Sequence, residues 1–201
     1  TNLYNMLYNL VSLFFLIMNE NNLKTRKLIN FGPSGRAVAQ PMEDSLLDNF
    51  FEHITMERYA NVQYFSIYIW FKERDLNGFA SHFLRESQGE MEHAQKFADY
   101  LIARGQIVKL NELPAPVQRW DSIEDLISYS FNMEADLTSS LQQLYSISER
   151  ISDTRTNVFL DPIVEAQTNS EDEFANILGK VKFASNQPSA ILLIDSDLKK
   201  K

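Results

Sequence analysis

Several carboxylates of this chain sit where helices would ordinarily place apolar side chains. Glu57 follows Ile54 by three positions and precedes Tyr64 by seven, within a run whose apolar residues recur at threes and fours. Glu90 and His93 are three apart, so on a helix both project the same way. Glu134 lies between Phe131 and Leu137 at three-residue spacing, and Gln167 is three after Val164 and seven before Phe174. An acid on a buried stripe is costly unless it is paired, protonated or metal-bound. The chemistry these types offer together is cation binding. A carboxylate can bridge two cations while an imidazole holds one of them. One Glu-x-x-His pair is a weak signal, whereas four helices each supplying an inward polar group form a strong one.

The composition fits that chemistry and excludes others. No cysteine occurs, which removes disulfides, thiolate metal sites, iron–sulfur clusters and a Cys nucleophile. With only three histidines, His53, His82 and His93, a metal site must draw mostly on oxygen ligands, as hard or borderline cations accept. The net charge of -8 and pI near 4.9 disfavour nucleic acid and attract cations. The length of 201 residues suits about one domain with a tail. Six Gly and six Pro are few for an all-β chain, so helices are favoured.

The elements that must position these residues begin at Met42. A first helix is predicted from there to Phe71, without Gly or Pro, and a second from about Gly78 to Arg104, stopped by Gly105. Residues 106–121, with Pro114, Pro116 and the strand-like Ile107-Val108, read as a long extended crossover. Asp121 or Ser122 caps a third helix reaching about Ile151, with Glu124 and Asp125 favourable in its first turn. A fourth follows the Ser152-Asp153 break and runs to Lys182, with Pro162 expected to kink it. A short fifth spans Ser189 to Leu198. The fold class is therefore all-α: an up-down-down-up four-helix bundle with one long crossover between helices two and three, as in ferritin-like folds. Residues 1–41 form a leader or extended arm, and 42–201 the helical domain. Within the former, 10–18 reads as a targeting-peptide core or as translated sequence upstream of a start at Met18. No stretch after Met42 looks like a transmembrane span, so no membrane partner is expected.

Inward carboxylates in a one-crossover bundle are the arrangement of di-iron proteins. At the motifs Ile54-Thr-Met-Glu57-Arg-Tyr-Ala60 with Tyr64, Glu86-Ser-Gln-Gly-Glu90-Met-Glu-His93-Ala, Asn132-Met-Glu134-Ala and Glu165-Ala-Gln167, the chain resembles a ferritin over about Asp44 to Leu198. The arm Gly32-Pro-Ser-Gly-Arg36-Ala and the phrases Ser152-Asp-Thr-Arg-Thr156 and Phe159-Leu-Asp-Pro162 resemble the non-haem ferritins of marine cyanobacteria in particular. The resemblance implies an iron-storage subunit in a homo-oligomeric shell of about 24 copies. It implies a ferroxidase centre that oxidises Fe(II) with O2 and stores Fe(III) mineral, without haem, in the cytoplasm, or in an organelle if the N-terminal segment targets it. Glu57, Glu90 and His93 would hold the first iron, with Glu90 bridging, and Glu90 and Glu134 the second. Tyr64 matches the tyrosine beside the centre, where it can hydrogen-bond a ligand or give up an electron. Gln167 matches the glutamine near the second iron.

The departures from the family pattern narrow this reading. Ser170, three after Gln167, breaks the second Glu-x-x-His of bacterioferritins. Ala166, Asn169, Ser170 and Gly89 stand where third-site or transit acids occur in some relatives. Glu86, one turn before Glu90, and Asp161, one turn before Glu165, are candidate transit ligands. For both, a solvated face or a cap is the competing structural reading. Glu165 and Glu171 read as surface charge, Met56 and Met133 as packing, His82 as structural and His53 as a core or interface histidine. Two alternative functions remain at this level, a non-catalytic cage subunit and a di-iron oxidase acting on an organic substrate. The complete ligand set disfavours the first, and the missing helix-four Glu-x-x-His the second.

Overall fold

The computed structural model describes residues 29–185 and 187–200; the apolar stretch 10–18 and Met18 lie outside them. Five helices follow a two-stranded hairpin: β1 (Asn30–Phe31), β2 (Ala37–Val38), α1 (Asp44–Lys72), α2 (Asn77–Ala103), α3 (Ile123–Arg150), α4 (Thr154–Ala184) and α5 (Pro188–Leu198). The boundaries follow local chemistry. Ser122 Oγ accepts from Asp125 N at 3.0 Å to cap α3, and Asp153 accepts from Thr156 N at the start of α4. Ser185, at φ 46°, ends α4 in the left-handed region. Helix α4 runs unbroken through Pro162.

Helix directions can be read from the core. One apolar cluster contains Leu46, Phe50 and Ile54 with Phe97, Leu101, Leu144 and Leu160; the other contains Ile67 and Phe71 with Phe79, Phe83, Leu126, Phe174 and Ile177. Along α1 and α4 the first cluster precedes the second, and along α2 and α3 the order reverses. That is an up-down-down-up bundle. α1 packs mainly on α2 and α3 on α4, with α1 also against α3. Glu57, Glu90 and Gln167 fall between the two clusters along their helices and Glu134 lies within the edge of the second, three residues before Leu137, so a polar layer crosses the middle of an otherwise apolar core.

The crossover must return along the bundle, about 40 Å for the 27 residues of α2. It does so in an irregular extended form laid on α1. The Gln63 amide donates to Val117 O at 2.9 Å and accepts from Val117 N at 2.7 Å, and Arg58 donates to Asn111 O at 2.9 Å. The strand-like Ile107-Val108 forms no strand, and the bonds that lay the segment on α1 come further on, at Asn111 and Val117.

The arm before α1 is not extended throughout. Asn30 and Phe31 pair antiparallel with Val38 and Ala37, and the turn docks on the C-terminus of α2. Ser34 donates to Gly105 O from its N at 3.1 Å and its Oγ at 2.8 Å, and Arg36 Nη1 donates at 3.2 Å to Ile102 O, which also accepts from Gly105 N. A Cβ on Gly32 would lie 2.3 Å from Gly105 O, so this contact requires glycine. At the same end, buried Arg104 pairs with Asp153 at 2.6 Å and ties the two helical hairpins together.

Candidate metal centre

Glu57, Glu90 and His93 converge from α1 and α2. One ligand atom from each can be chosen so that all lie within 4.8 Å of one another. His93 Nδ1 is 3.0 Å from Glu90 Oε2 and 3.7 Å from Glu57 Oε2. The i, i+3 spacing on α2 brings Glu90 and His93 together, and the α1–α2 contact brings Glu57 to them. Asn61 and Ser87 fix that contact one turn away, with Asn61 Nδ2 donating to Ser87 O at 2.7 Å and Ser87 Oγ to Asn61 O at 2.9 Å. Both glutamates are buried, while the His93 side chain is 42% exposed. Beside them, between α2 and α4, opens a cavity of about 40 Å³ lined by Glu57, His93, Lys96, Ile163, Ala166 and Gln167 among others.

Glu134 and Gln167 enter from the α3–α4 hairpin. Tyr64 donates its hydroxyl to Glu134 Oε1, and Gln167 Nε2 donates to Oε2 at 2.8 Å and to the Glu134 carbonyl at 3.2 Å. Both carboxylate oxygens are thus engaged on their own side, and Glu134 is not one of the three-residue group. Tyr64 is fully buried, stacked on Phe174 with ring centroids 5.5 Å apart.

The centre stores protons as well as charge. Burial works against the Glu57 anion, but the close polar contacts of His53, His93 and Glu90 outweigh it and hold this carboxyl well below the usual range. Burial raises Glu90 well above that range, with the Glu57 and Glu134 charges adding and the His93 bond opposing. Burial also raises Glu134 against its bonds from Tyr64 and Gln167. Hydrogen bonds to Glu57 and Glu90 push His93 up to about 10. Burial, then the Glu134 and Glu90 charges, keep Tyr64 protonated. An imidazole pushed up and two carboxyls that burial pushes toward the protonated form, around one anion, couple any cation binding here to proton release.

The remaining sequence candidates divide. Glu86 is half-buried one turn before Glu90, its Oε1 3.6 Å from His82 Nδ1; Glu173 on α4 approaches the same nitrogen at 3.7 Å. Burial, followed by the Glu173 and Glu134 charges, raises Glu86 to about 7. Asp161 is not brought to the centre: it is exposed and accepts from Tyr145 OH at 3.0 Å. Glu165 is exposed, whereas Glu171 accepts from Thr138 across α3–α4. Met56 and Met133 pack against the core and face a separate outer groove between α1 and α3.

His53 is the residue whose place spacing alone undervalued. It is a core histidine, as expected, but its Nε2 lies 3.0 Å from Glu57 Oε1. The available signal was its position four residues before Glu57 on the same helix face.

Residues 47–184 match the ferritin-like domain family. A bacterial non-heme ferritin from Bacteroides fragilis is 30% identical over 147 residues, covering 73% of this chain and 91% of that protein. An open pore ferritin of the archaeon Archaeoglobus fulgidus superposes with TM-score 0.78 at 25% identity, over 81% of this chain and 99% of that one. A PmFTN variant soaked in iron superposes with TM-score 0.73 at 33% identity, over 77% and 98% of the two chains. Among the described residues no helix is long and apolar enough to cross a membrane.

Proposed function

This chain belongs to the ferritin family, and on that premise we propose that it is a ferroxidase subunit of an iron-storing cage. The observation that carries the proposal is the Glu57, Glu90 and His93 group, its two glutamates buried and its ligand atoms within 4.8 Å of one another, set in the polar layer between two apolar clusters. Fe(II) is the substrate. Glu57, Glu90 and His93 take one ion, with Glu90 shared, and Glu90 and Glu134 take the second once Glu134 turns an oxygen from Tyr64 or Gln167.

Two Fe(II) held side by side give one electron each to the same O2, which takes two protons and leaves as H2O2. That route avoids superoxide from a lone one-electron step. The carboxylates offset the rising charge on iron, and burial limits side reactions with water. Tyr64 holds Glu134 in the resting site and stands next to the reacting pair. Gln167 acts from the far side of Glu134 as a weak ligand or hydrogen-bond donor. Oxidised iron then hydrolyses and moves inward as mineral within a homo-oligomer of about 24 subunits. The cytoplasm is the proposed compartment.

Glu86 and Asp161 are proposed as way-stations for incoming Fe(II). Support is stronger for Glu86, which neighbours His82 and Glu173 one turn from Glu90. Asp161 is supported by its place one turn before Glu165 on the solvent side of α4.

Stopped-flow absorbance after mixing aerobic apoprotein with two Fe(II) per subunit tests the reading. A fast phase that saturates near that ratio and vanishes in Glu90→Ala is expected. Oxidation no faster than in buffer alone would leave only passive storage.

A further inference from the structure

We infer that His53 and Ser140 form a positioning pair for Glu57, presenting a single oxygen of that ligand to the cations and anchoring it to α3. This rests on the ferroxidase reading above.

The two Glu57 oxygens have different neighbours. Oε1 lies 3.0 Å from His53 Nε2, while Oε2 is the atom near His93, at 3.7 Å. His53 is fully buried, and three helices hold its ring. Its backbone belongs to α1, its Nδ1 is 2.9 Å from Ser140 Oγ on α3, and its ring meets Phe97 of α2 edge-on at 4.4 Å between centroids.

The hydrogen-bond logic fixes the proton positions. A Glu57 carboxylate has no proton to give, so the hydrogen belongs on Nε2, which faces Oε1 at 3.0 Å without the alignment of a formed hydrogen bond. In the neutral ring Nδ1 is then an acceptor, and the Ser140 hydroxyl donates to it. The opposite tautomer would aim a lone pair at the carboxylate. The Glu57 carboxylate therefore selects the tautomer, and Ser140 anchors the ring's other nitrogen to α3. With Oε1 facing His53, Oε2, which makes no hydrogen bond of its own, is the oxygen left for the cations. Outer-shell partners of this kind typically set ligand orientation and basicity, and their loss costs about 10–100-fold in metal affinity.

The test uses Co(II) alone as probe on full-length apoprotein, followed by visible absorption, whose band shape and intensity report coordination. In His53→Leu the first Co(II) should bind about 10–100-fold more weakly, with an altered band as Glu57 becomes free to offer both oxygens. Ser140→Ala, at a half-buried position, should alter the band in the same sense and to a smaller degree. His53→Gln, which keeps an N–H donor on the same helix face, should bring affinity and band back toward the parent.

A purely structural histidine would lower the melting temperature of His53→Leu and leave the Co(II) affinity and band as in the parent, with Ser140→Ala silent. That result overturns the inference. If His53→Leu does not assemble, Ser140→Ala decides, and an unchanged band overturns it. Failure of the ferroxidase reading looks different. A parent that binds Co(II) but oxidises Fe(II) no faster than buffer loses catalysis and keeps the pair. A parent that binds no Co(II) overturns both.

Discussion

Tyr64 on α1 gives its hydroxyl to Glu134 on α3, 70 residues away in sequence, and both groups are buried in the polar layer. The bond joins the helix that carries Glu57 to the helix that carries Glu134, the proposed ligand of the second ion. It also sets the resting direction of Glu134, because Gln167 holds the second oxygen.

Tyr64→Phe keeps the ring stacked on Phe174 and removes only the donor. A buried carboxyl that loses a hydrogen bond costs about 1–3 kcal/mol, so a lower denaturant midpoint is expected with an unchanged slope. Fast Fe(II) oxidation should slow without vanishing, whereas Glu90→Ala abolishes it. Equal loss in the two variants would make Tyr64 indispensable and contradict a supporting role.

Cation binding should expel protons. His93, raised to about 10, holds a proton near neutral pH that a cation must displace, and burial shifts Glu90 and Glu134 in the same direction. Calorimetric titration with Co(II) in two buffers of different ionisation enthalpy should show net release of roughly one proton or more per cation pair. Apparent affinity should climb with pH up to about 10. A buffer-independent heat would show that the resting site is already deprotonated.

Without cations, the same His93 shift makes a second prediction, of opposite sign for stability. A folded-state value above the ordinary 6.5 stabilises the fold fully below that pH, and the contribution is lost as pH rises through about 10. The melting temperature of apoprotein should therefore fall between neutral pH and about 10, and His93→Gln should fall less over that window. Parallel curves would place the pH sensitivity elsewhere.

Entry through Glu86 predicts an asymmetry. Glu86→Gln should reduce the initial rate of Fe(II) oxidation at limiting iron and leave the rate at saturating iron nearly unchanged. Asp161→Ala should show a smaller effect, because that carboxylate already accepts from Tyr145 on the surface. Wild-type rates in both variants at low iron would remove both residues from the route.

The fifth helix is held by a tertiary cap. Asp195 Oδ1 accepts from Gly78 N at 2.8 Å and Phe79 N at 2.9 Å, at a helix start that has no side-chain cap of its own. Asp195→Ala should lower stability by about 1 kcal/mol. Gly78→Ala should cost about 1–3 kcal/mol, because its Cβ would lie 1.7 Å from the Asp195 carbonyl oxygen. Thermal unfolding should rank Gly78→Ala as the worse of the two, with Fe(II) oxidation retained in each. The reverse order would mean that α5 yields easily and the cap dominates.

Much of the molecule was legible from periodicity and local chemistry. Apolar threes and fours in the first helix, with the breaks at Gly105, Ser152-Asp153 and Pro188, located the five helices of the described residues, and Asp121 or Ser122 announced the start of α3, where Ser122 is the cap. The spacing of Glu90 and His93 defined one half of the centre, because an i, i+3 pair converges on any helix. Inward placement of Glu57, Glu134 and Gln167 followed from the same period. Other features depended on which side chain stands opposite which. Spacing marked His53 as near Glu57, but only the fold set Ser140 against its other nitrogen, 87 residues away. Spacing put Glu134 inside, but its oxygens turned to Tyr64 and Gln167. It also put a long crossover after Gly105, but Gln63 and Arg58 on α1 determined its path. Helical period sets the face of a residue along its own axis. The rotation and axial register of one helix against another, which choose partners at 3 Å, arise from packing of the whole core.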